Sequence, residues 1–392
     1  MTIYKKRSSK RKYSRKKYSK RKYSRKRIKK QKKKYSRKQK KKYSKKRIKK
    51  NMTGGAEDER FNDCNIIATA NGDNTIKLLD LKKMEYVQTL EGHRDPVMSA
   101  AFSPDGKKIV SSSKDMTIRT WSIETGNTLQ TMVGHTNYVR SAAFSPKGDK
   151  IVSACSQTVR IWNAETGGPI RTLEGHTSVV FSAAFSPGGD KIISASWEGV
   201  VYMWSVETGE LLQKLEGNGG VVNSATFSPG GGYIVSASND GKVRVWDTDK
   251  GNLLHTLMGH TGLVNSAVFS PGEKFIVSGG HDKTVRIWDM GTGKQLENLV
   301  GHSGPVTSTV FSPGEGKYIV SGSRDRTVCI WDWDEGNKSI LNMNINSEIY
   351  SVEFSPNQVN TNLAIERYKQ SQLLLGLEID RDIISVVEPE GE

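Results

Sequence analysis

The chain has 392 residues, with 60 Lys and Arg against 41 Asp and Glu. Residues 1–50 hold 30 of the basic residues and no acidic one, which leaves the rest of the chain with a formal charge of −11. No run of 18 apolar residues occurs, so we expect no transmembrane helix, and no apolar segment follows the N-terminal charges, so we expect no secretory signal.

The N-terminal segment, residues 1–55, is predicted to be a disordered basic arm. Tyr-Ser pairs recur through it, and KYSRKRIKK at 22–30 returns as KYSKKRIKK at 42–50. The segment has too few apolar side chains to bury, and its like charges repel one another. A solubilising tail is an alternative interpretation, and an organelle transit peptide is another, although no apolar stripe supports it.

The composition of the arm favours binding to a polyanion. Lys and Arg neutralise phosphates and release counterions, and interleaved tyrosines can stack on unpaired bases. We therefore expect non-specific binding to nucleic acid or to another polyanion. Runs of this kind also act as nuclear localisation signals, which favours a nuclear or nucleolar location over the cytoplasm. The residues expected to carry the binding are Arg11, Lys12, Arg21, Lys22, Arg25, Lys26, Arg27, Lys45, Lys46 and Arg47.

The remainder of the chain is built from an internal repeat of about 42 residues, the kind of period that indicates a solenoid or a propeller. Gly-His pairs end at His93, His135, His176, His260 and His302. Phe-Ser-Pro occurs seven times, beginning at Phe102, Phe144, Phe185, Phe227, Phe269, Phe311 and Phe354. A tryptophan recurs at Trp121, Trp162, Trp204, Trp246, Trp288 and Trp331.

Each unit is predicted to contain four short strands. In the unit that begins at Gly259, LVNSAVF alternates apolar and polar residues, FIVSGG and TVRIW follow after turns, and KQLENLV closes the unit. Alternation with a period of two predicts strands, and short strands joined by tight turns form antiparallel sheets. Radial repetition of four-stranded sheets is a β-propeller.

Units that read GH, FSP, IVS, D and TVRIWD in that order resemble WD repeats over residues 61–354. The markers recur in a fixed order, so the motif is specific. The family forms propellers that act as rigid platforms for protein interactions, mostly without catalysis. The resemblance therefore implies an all-β WD-repeat β-propeller that is not an enzyme. No nucleophile elbow, P-loop or metal-ligand spacing occurs in the sequence, so we expect no cofactor or metal ion.

The number of blades is predicted from the two ends of the repeat. The first unit, 61–91, lacks a first strand, and EIYSVEF at 348–354 is a first strand without the rest of a unit. One sheet shared by the two ends would hide the edges that both leave open. We predict seven blades within residues 56–356, with 357–392 as a C-terminal extension. An eighth blade formed from possible strands in that extension is the alternative.

In the family, the repeated histidine joins a hydrogen-bond network with a Ser or Thr, a turn Asp and the Trp. This role is structural, because equivalent residues in a ring do not converge on one reacting atom. The complete sets by position are His93, Ser111, Asp115 and Trp121; His260, Ser278, Asp282 and Trp288; and His302, Ser321, Asp325 and Trp331. Three units depart, with Glu198 for Asp, Asn218 for His and Ser156 for Asp, and the terminal unit keeps Thr69 and Asp73 without Trp.

Function is expected where the units differ, on the upper face of the propeller. Tyr138, Arg140, Phe181 and Trp197 fall in two neighbouring units at positions that line this face in the family. Trp, Tyr and Arg most often carry binding energy at protein interfaces. We predict a monomeric scaffold that binds a protein or peptide there. The alternative function is that of a nucleic-acid-condensing or packaging protein in which the arm is the active part. For the four residues themselves, the alternative is that their rings simply pack on one another.

The three cysteines, Cys64, Cys155 and Cys329, lie far apart in the sequence, and no C-x-x-C motif occurs. An odd and sparse set argues against a disulfide framework and a zinc site, and it favours a reducing, intracellular compartment. The cysteines lie in or beside predicted strands, so we expect buried thiols.

Overall fold

A computed structural model describes residues 66–81, 85–333 and 339–356. The described residues form 28 strands. In chain order they are β1 (Ile66–Asn71), β2 (Ile76–Asp80), β3 (Glu85–Leu90), β4 (Val97–Phe102), β5 (Lys108–Ser113), β6 (Ile118–Ser122), β7 (Thr128–Met132), β8 (Val139–Phe144), β9 (Lys150–Cys155), β10 (Thr158–Asn163), β11 (Pro169–Glu174), β12 (Val180–Phe185), β13 (Lys191–Ser196), β14 (Val201–Ser205), β15 (Leu211–Leu215), β16 (Val222–Phe227), β17 (Tyr233–Ser238), β18 (Lys242–Asp247), β19 (Leu253–Met258), β20 (Val264–Phe269), β21 (Phe275–Gly280), β22 (Thr284–Asp289), β23 (Lys294–Val300), β24 (Val306–Phe311), β25 (Tyr318–Ser323), β26 (Thr327–Asp332), β27 (Ser339–Asn344) and β28 (Ile349–Phe354).

These strands form seven antiparallel sheets of four, which we call blades. Blades 1 to 6 are β4–β7, β8–β11, β12–β15, β16–β19, β20–β23 and β24–β27. Blade 7 takes β28 as its first strand and β1, β2 and β3 as the other three. The predicted seven-bladed, all-β propeller is therefore confirmed for the described residues.

The first strand of each blade lies innermost and contacts the first strands of both neighbours. β4 contacts β8, and the series continues through β12, β16, β20 and β24 to β28, which contacts β4 again. An eighth blade would separate β28 from β4 by another inner strand. The eight-bladed alternative is therefore wrong, and the strands predicted within 357–392 lie outside the described residues.

Blade 7 joins the two ends of the propeller. Ile67 pairs with Phe354 and Thr69 with Val352 across the β1–β28 ladder, while Thr69 also pairs with Lys77 of β2. The main-chain groups of β1 are thus satisfied on both sides by two segments, β2 and β28, that lie at opposite ends of the repeat. This arrangement confirms the predicted sharing of one sheet by the two ends.

The core lies between the blades as well as within them. The second strand of each blade is buried on both faces, which explains runs such as IVSA and IISA that do not alternate. Six tryptophans, one in the third strand of each of blades 1 to 6, are at most 1% exposed. Apolar residues of one blade pack on the next, as Leu79 of blade 7 does with Val320 and Ile330 of blade 6.

Serines on the inner strands add hydrogen bonds between neighbouring blades. The hydroxyl of Ser99 accepts a bond from the backbone N–H of Ala142 at 2.9 Å, and Ser141 accepts one from Ala183 at 3.0 Å. At the junction of the two chain ends, Ser351 accepts the N–H of Ala100 at 3.1 Å. Among the described residues, no helix has the length and apolar character that a membrane span needs.

Candidate partner-binding face and the networks beneath it

The upper face is the side of the ring where the loop before each first strand meets the turn between the second and third strands. In blade 1 these two segments are joined when the backbone N–H of Lys114 donates to the carbonyl of Pro96 at 3.0 Å. The corresponding bond in blade 3 runs from Trp197 to Val179 at 2.8 Å. The side chains of this face therefore stand on two loops that main-chain hydrogen bonds hold together.

Below the face, blade 1 contains a chain of four polar side chains. Trp121 Nε1 donates to Ser111 Oγ at 2.8 Å, and Ser111 Oγ lies 2.8 Å from His93 Nε2. His93 Nδ1 lies 2.7 Å from Asp115 Oδ2. The carboxylate also accepts the backbone N–H of Arg94 at 3.0 Å, so it ties the loop to the turn.

Blades 5 and 6 repeat the arrangement. His260 Nε2 and Trp288 Nε1 both meet Ser278 Oγ, and His302 Nε2 and Trp331 Nε1 both meet Ser321 Oγ, all at 2.7–2.9 Å. The histidine Nδ1 atoms lie 2.9 Å from Asp282 and 3.0 Å from Asp325. Every member of each set belongs to one blade, so the twelve residues predicted for this role form three separate networks around the ring.

Burial and hydrogen bonding act in opposite directions on the turn aspartates. Desolvation would raise the pKa of Asp115, but hydrogen bonds from His93 and Thr117 outweigh it and hold that pKa well below its usual range. The pKa values of Asp282 and Asp325 are lowered by the same opposing causes. These carboxylates are charged acceptors that hold the turns in place.

Three blades depart from this pattern, each in a different way. In blade 3, the longer Glu198 still reaches His176 Nδ1 at 2.5 Å. In blade 4, Asn218 accepts from Ser236 at 3.0 Å, and Asp240 pairs instead with Arg244 at 2.6 Å. In blade 2, His135 keeps its bond to Ser153 at 2.7 Å, but its Nδ1 is buried without a partner.

The four residues singled out on the upper face lie at the junction of blades 2 and 3. The guanidinium of Arg140 lies 4.6 Å from the ring centroid of Phe181. Phe181 in turn stacks on Trp197 with 6.1 Å between ring centroids. Trp197 is still 59% exposed and Tyr138 is 46% exposed. Three of the four residues therefore form one continuous stack, and Tyr138 stands beside it in the loop before β8.

A second pair on this face was not singled out from the sequence. Lys114 of blade 1 places its Nζ 5.7 Å from the ring centroid of Tyr350 of blade 7. Within the described residues, no ion pair joins Lys114, Arg140 or Arg324 to an acid. The pairing of Lys114 with Tyr350 crosses the junction of the two chain ends, so no local sequence signal could have revealed it.

The other predicted residues divide into buried ones and ones outside the described residues. Cys155 and Cys329 are buried thiols, and desolvation raises the pKa of Cys155. Cys64 and the arm residues from Arg11 to Arg47 lie outside the described residues. Across the described ranges, no three His, Cys, Asp or Glu side chains come together as a metal ion would require.

Comparison with known proteins agrees with the architecture. The family described as WD domain, G-beta repeat matches six segments that together cover more than half of the chain. These segments are 84–122, 126–163, 167–205, 209–247, 251–289 and 293–332. No curated protein matches the chain. Propellers of this family generally act as protein-interaction scaffolds and are typically non-catalytic. From the seven four-stranded blades and these six matches, we conclude that the chain belongs to the WD-repeat family.

Proposed function

We propose that this protein is a non-catalytic scaffold that binds a protein or peptide partner on the upper face, at the junction of blades 2 and 3. The observation that carries the proposal is the exposed stack of Arg140, Phe181 and Trp197 with Tyr138 beside it. Exposed aromatic and Arg side chains grouped on a rigid support are typical of the few residues that dominate binding at protein interfaces.

Packing of the rings on one another does not account for the whole cluster. Phe181 is partly buried between its two neighbours, but more than half of Trp197 stays exposed. A large apolar side chain in this position loses contact with water when a partner covers it, which stabilises the complex. The blades beneath are closed by main-chain ladders, so little ordering of the face is needed on binding.

The basic arm, residues 1–55, supports a second activity on the same chain. With 30 Lys and Arg and no acid in the first 50 residues, it has the charge of a segment that binds DNA, RNA or another polyanion without sequence preference. We propose that the arm brings the scaffold to such a polymer or directs its import into the nucleus. The propeller would then act as a monomer that presents the bound partner there.

The test of the first proposal compares proteins captured from a cell extract by the full chain and by variants. Trp197→Ala combined with Arg140→Ala should lose a defined set of captured proteins, while Leu254→Ala, an exposed substitution on the outer strand β19, should retain them. Retention of the same set by the double variant would contradict a binding role for this face.

The arm is tested separately by measuring DNA and RNA binding against salt concentration. Full-length protein should lose affinity steeply as salt rises, because each neutralised phosphate releases a counterion. Protein that lacks residues 1–50 should not bind at physiological salt. Salt-insensitive binding by the full chain, or binding by the shortened chain, would contradict the proposal.

A further inference from the structure

Six of the seven blades carry an Asp or Glu in the turn between their second and third strands, and blade 2 does not. The six acids are Asp73, Asp115, Glu198, Asp240, Asp282 and Asp325. In blade 2 this turn is one residue shorter and consists of Ser156 and Gln157, with Ser156 at a φ of 46°. No carboxylate of its own turn therefore reaches the upper end of blade 2.

The acid has a recurring set of donors. In blade 5, Asp282 accepts from His260 Nδ1 at 2.9 Å and from the backbone N–H of Thr261 at 3.1 Å. Arg286 on β22 adds a longer contact to the same carboxylate at 3.5 Å. An imidazole, a loop N–H and a guanidinium thus surround one carboxylate just beneath the surface.

Blade 2 keeps the lower part of this network. His135 Nε2 lies 2.7 Å from Ser153 Oγ, which also accepts the indole N–H of Trp162 at 2.8 Å. With that N–H directed at Ser153, the hydroxyl proton is free to point at His135 Nε2, which leaves the proton of the neutral imidazole on Nδ1. Burial, together with the nearby charge of Arg160, lowers the pKa of His135 to about 4. The ring is therefore neutral at physiological pH and directs an N–H donor toward the place where other blades hold an acid.

That donor has no acceptor among the described residues. His135 is 7% exposed, and its Nδ1 is buried without a hydrogen-bond partner. Buried donors are nearly always satisfied in folded proteins, so an unsatisfied imidazole beside the positive charge of Arg160 points to an anionic acceptor from outside the chain.

The surroundings indicate where that acceptor comes from. Burial raises the pKa of the Cys155 thiol, and the positive charges of Arg160 and Arg140 oppose this shift, so both guanidinium groups lie near this end of blade 2. Tyr138, three residues after His135, belongs to the exposed cluster on the upper face. A partner lying on Phe181 and Trp197 would pass directly beside this end of blade 2.

We propose that the upper end of blade 2 is a subsite for the side-chain carboxylate of an Asp or Glu in the partner, which takes the place of the turn acid present in the other six blades. The proposal rests on the proposed binding of a peptide or protein to the upper face. It adds the chemistry of the partner: an acidic residue to meet His135, next to an apolar residue to cover Trp197.

The experiment selects peptides from a random library on the immobilised full-length protein, with excess duplex DNA in the buffer to occupy the basic arm. Selected peptides should contain Asp or Glu near an aromatic or aliphatic residue. Replacing that acid with its amide in a synthetic peptide should weaken binding about 10- to 100-fold, the usual worth of a hydrogen bond to a charged group.

Two variants test whether the peptide's acid binds at blade 2, and a third controls for charge. Ser156→Asp supplies a carboxylate from within the chain, and His135→Phe removes the donor. Both should abolish the difference in affinity between the acid and amide peptides. Asn239→Asp adds the same charge to the upper face in blade 4, where the new oxygen still accepts from Asn223, and should leave the difference unchanged. Circular dichroism of each variant checks that it folds.

Should Ser156→Asp fail to fold, the NMR titration of His135 in the wild-type chain gives the answer. Binding of the acidic peptide should raise the His135 pKa, and binding of the amide peptide should not. Peptides that depend on Trp197 but show no preference for an acid would overturn this inference alone. A preference for a free C-terminal carboxylate over a side chain would also overturn it. Peptides that bind independently of Trp197 would overturn the proposed function itself.

Discussion

Blades 5 and 7 occupy equivalent places in the ring but are stabilised differently. Blade 5 is continuous in sequence and contains the complete polar network of His260, Ser278, Asp282 and Trp288. In blade 7, Ile345 stands where the histidine would be and Leu79 where the tryptophan would be. Both side chains are buried in one apolar cluster with residues of blade 6.

The comparison shows that the polar network is one of two ways to fill the same space. Replacing both partners of a buried hydrogen bond with apolar groups costs little, whereas removing one partner leaves the other unsatisfied. In blade 7, apolar residues replace both the histidine and the tryptophan, and the β1–β28 ladder holds the blade in position. Blade 5 depends on side-chain hydrogen bonds that cannot be removed one at a time.

The largest effect on stability is expected from removing β28, the strand of blade 7 that comes from the other end of the repeat. A chain that ends before Ile345 lacks β28, so β1 keeps only β2 as a partner and the inner ring is open between β24 and β4. Open strand edges aggregate, and neighbouring blades lose a shared interface. We expect an aggregated or unfolded product by size-exclusion chromatography and thermal unfolding.

A chain that ends after Pro356 serves as the control for this truncation. It keeps β28, so it should remain monomeric with nearly the wild-type melting temperature. Equal stability of the two truncations would show that the shared sheet does not hold the ring closed.

The next largest difference is expected from single substitutions, which should lower the free energy of unfolding more in blade 5 than in blade 7. Ser278→Ala leaves Trp288 Nε1 and His260 Nε2 without a partner and should lower the free energy of unfolding by about 2–4 kcal/mol. Thr69→Val in blade 7 removes a hydroxyl that donates only to the carbonyl of Lys77, at 3.3 Å, and should cost less than about 1 kcal/mol. Urea denaturation of both variants measures the difference, and equal losses would contradict the comparison.

The turn aspartates should differ in how much stability they contribute as the pH is lowered. The folded state lowers the pKa of Asp282 through its bonds to His260 and Thr284, even though burial opposes the shift. Its contribution to stability is therefore present at neutral pH and is lost as pH falls below the usual range of an Asp. Asp282→Asn should lower the melting temperature at pH 7 by several degrees and by much less at pH 3.

Asp73 of blade 7 provides the matched residue for that measurement. Its pKa is also lowered, by bonds to Thr75 and Lys77, but its side chain is 36% exposed against 6% for Asp282. Solvent screens an exposed carboxylate, so Asp73→Asn should produce a smaller change at pH 7. A larger effect at Asp73 would show that the histidine adds nothing to blade 5.

The smallest effect on stability is expected from Glu353, a carboxylate on β28. Burial raises the pKa of Glu353 to about 8, against a hydrogen bond from the backbone of Phe102 in blade 1. A raised carboxyl pKa means that the fold loses stability as pH rises from the unfolded pKa toward 8. Solvent reaches part of Glu353 and screens its charge, so the loss is smaller than complete burial would cause. Glu353→Gln should gain melting temperature over wild type at pH 9 but not at pH 5, and an equal gain at both would rule out titration of this group.

Much of the fold followed from the sequence because a repeat displays each interaction several times. The period of two within strands, the turns at Ser-Pro and the recurring His, Ser, Asp and Trp were sufficient to predict four-stranded blades and their number. The apolar segment missing before residue 61 and present at 348–354 predicted the shared sheet. Each of these signals depends on residues that are close in the chain or that recur at one spacing.

The tertiary structure decided the contacts between units that have diverged. Arg140 contacts Phe181 of the next unit, 41 positions later, and Lys114 contacts Tyr350 across the junction of the two chain ends. The repeat makes Arg140 and Phe181 equivalent positions, but it does not show that their side chains meet. The sequence also did not show how each altered network is arranged. Glu198 still reaches His176, Asp240 forms an ion pair with Arg244, and His135 keeps a buried donor without an acceptor. The sequence specifies the blades because their hydrogen bonds repeat, whereas the upper face arises from side chains that only the ring brings within reach.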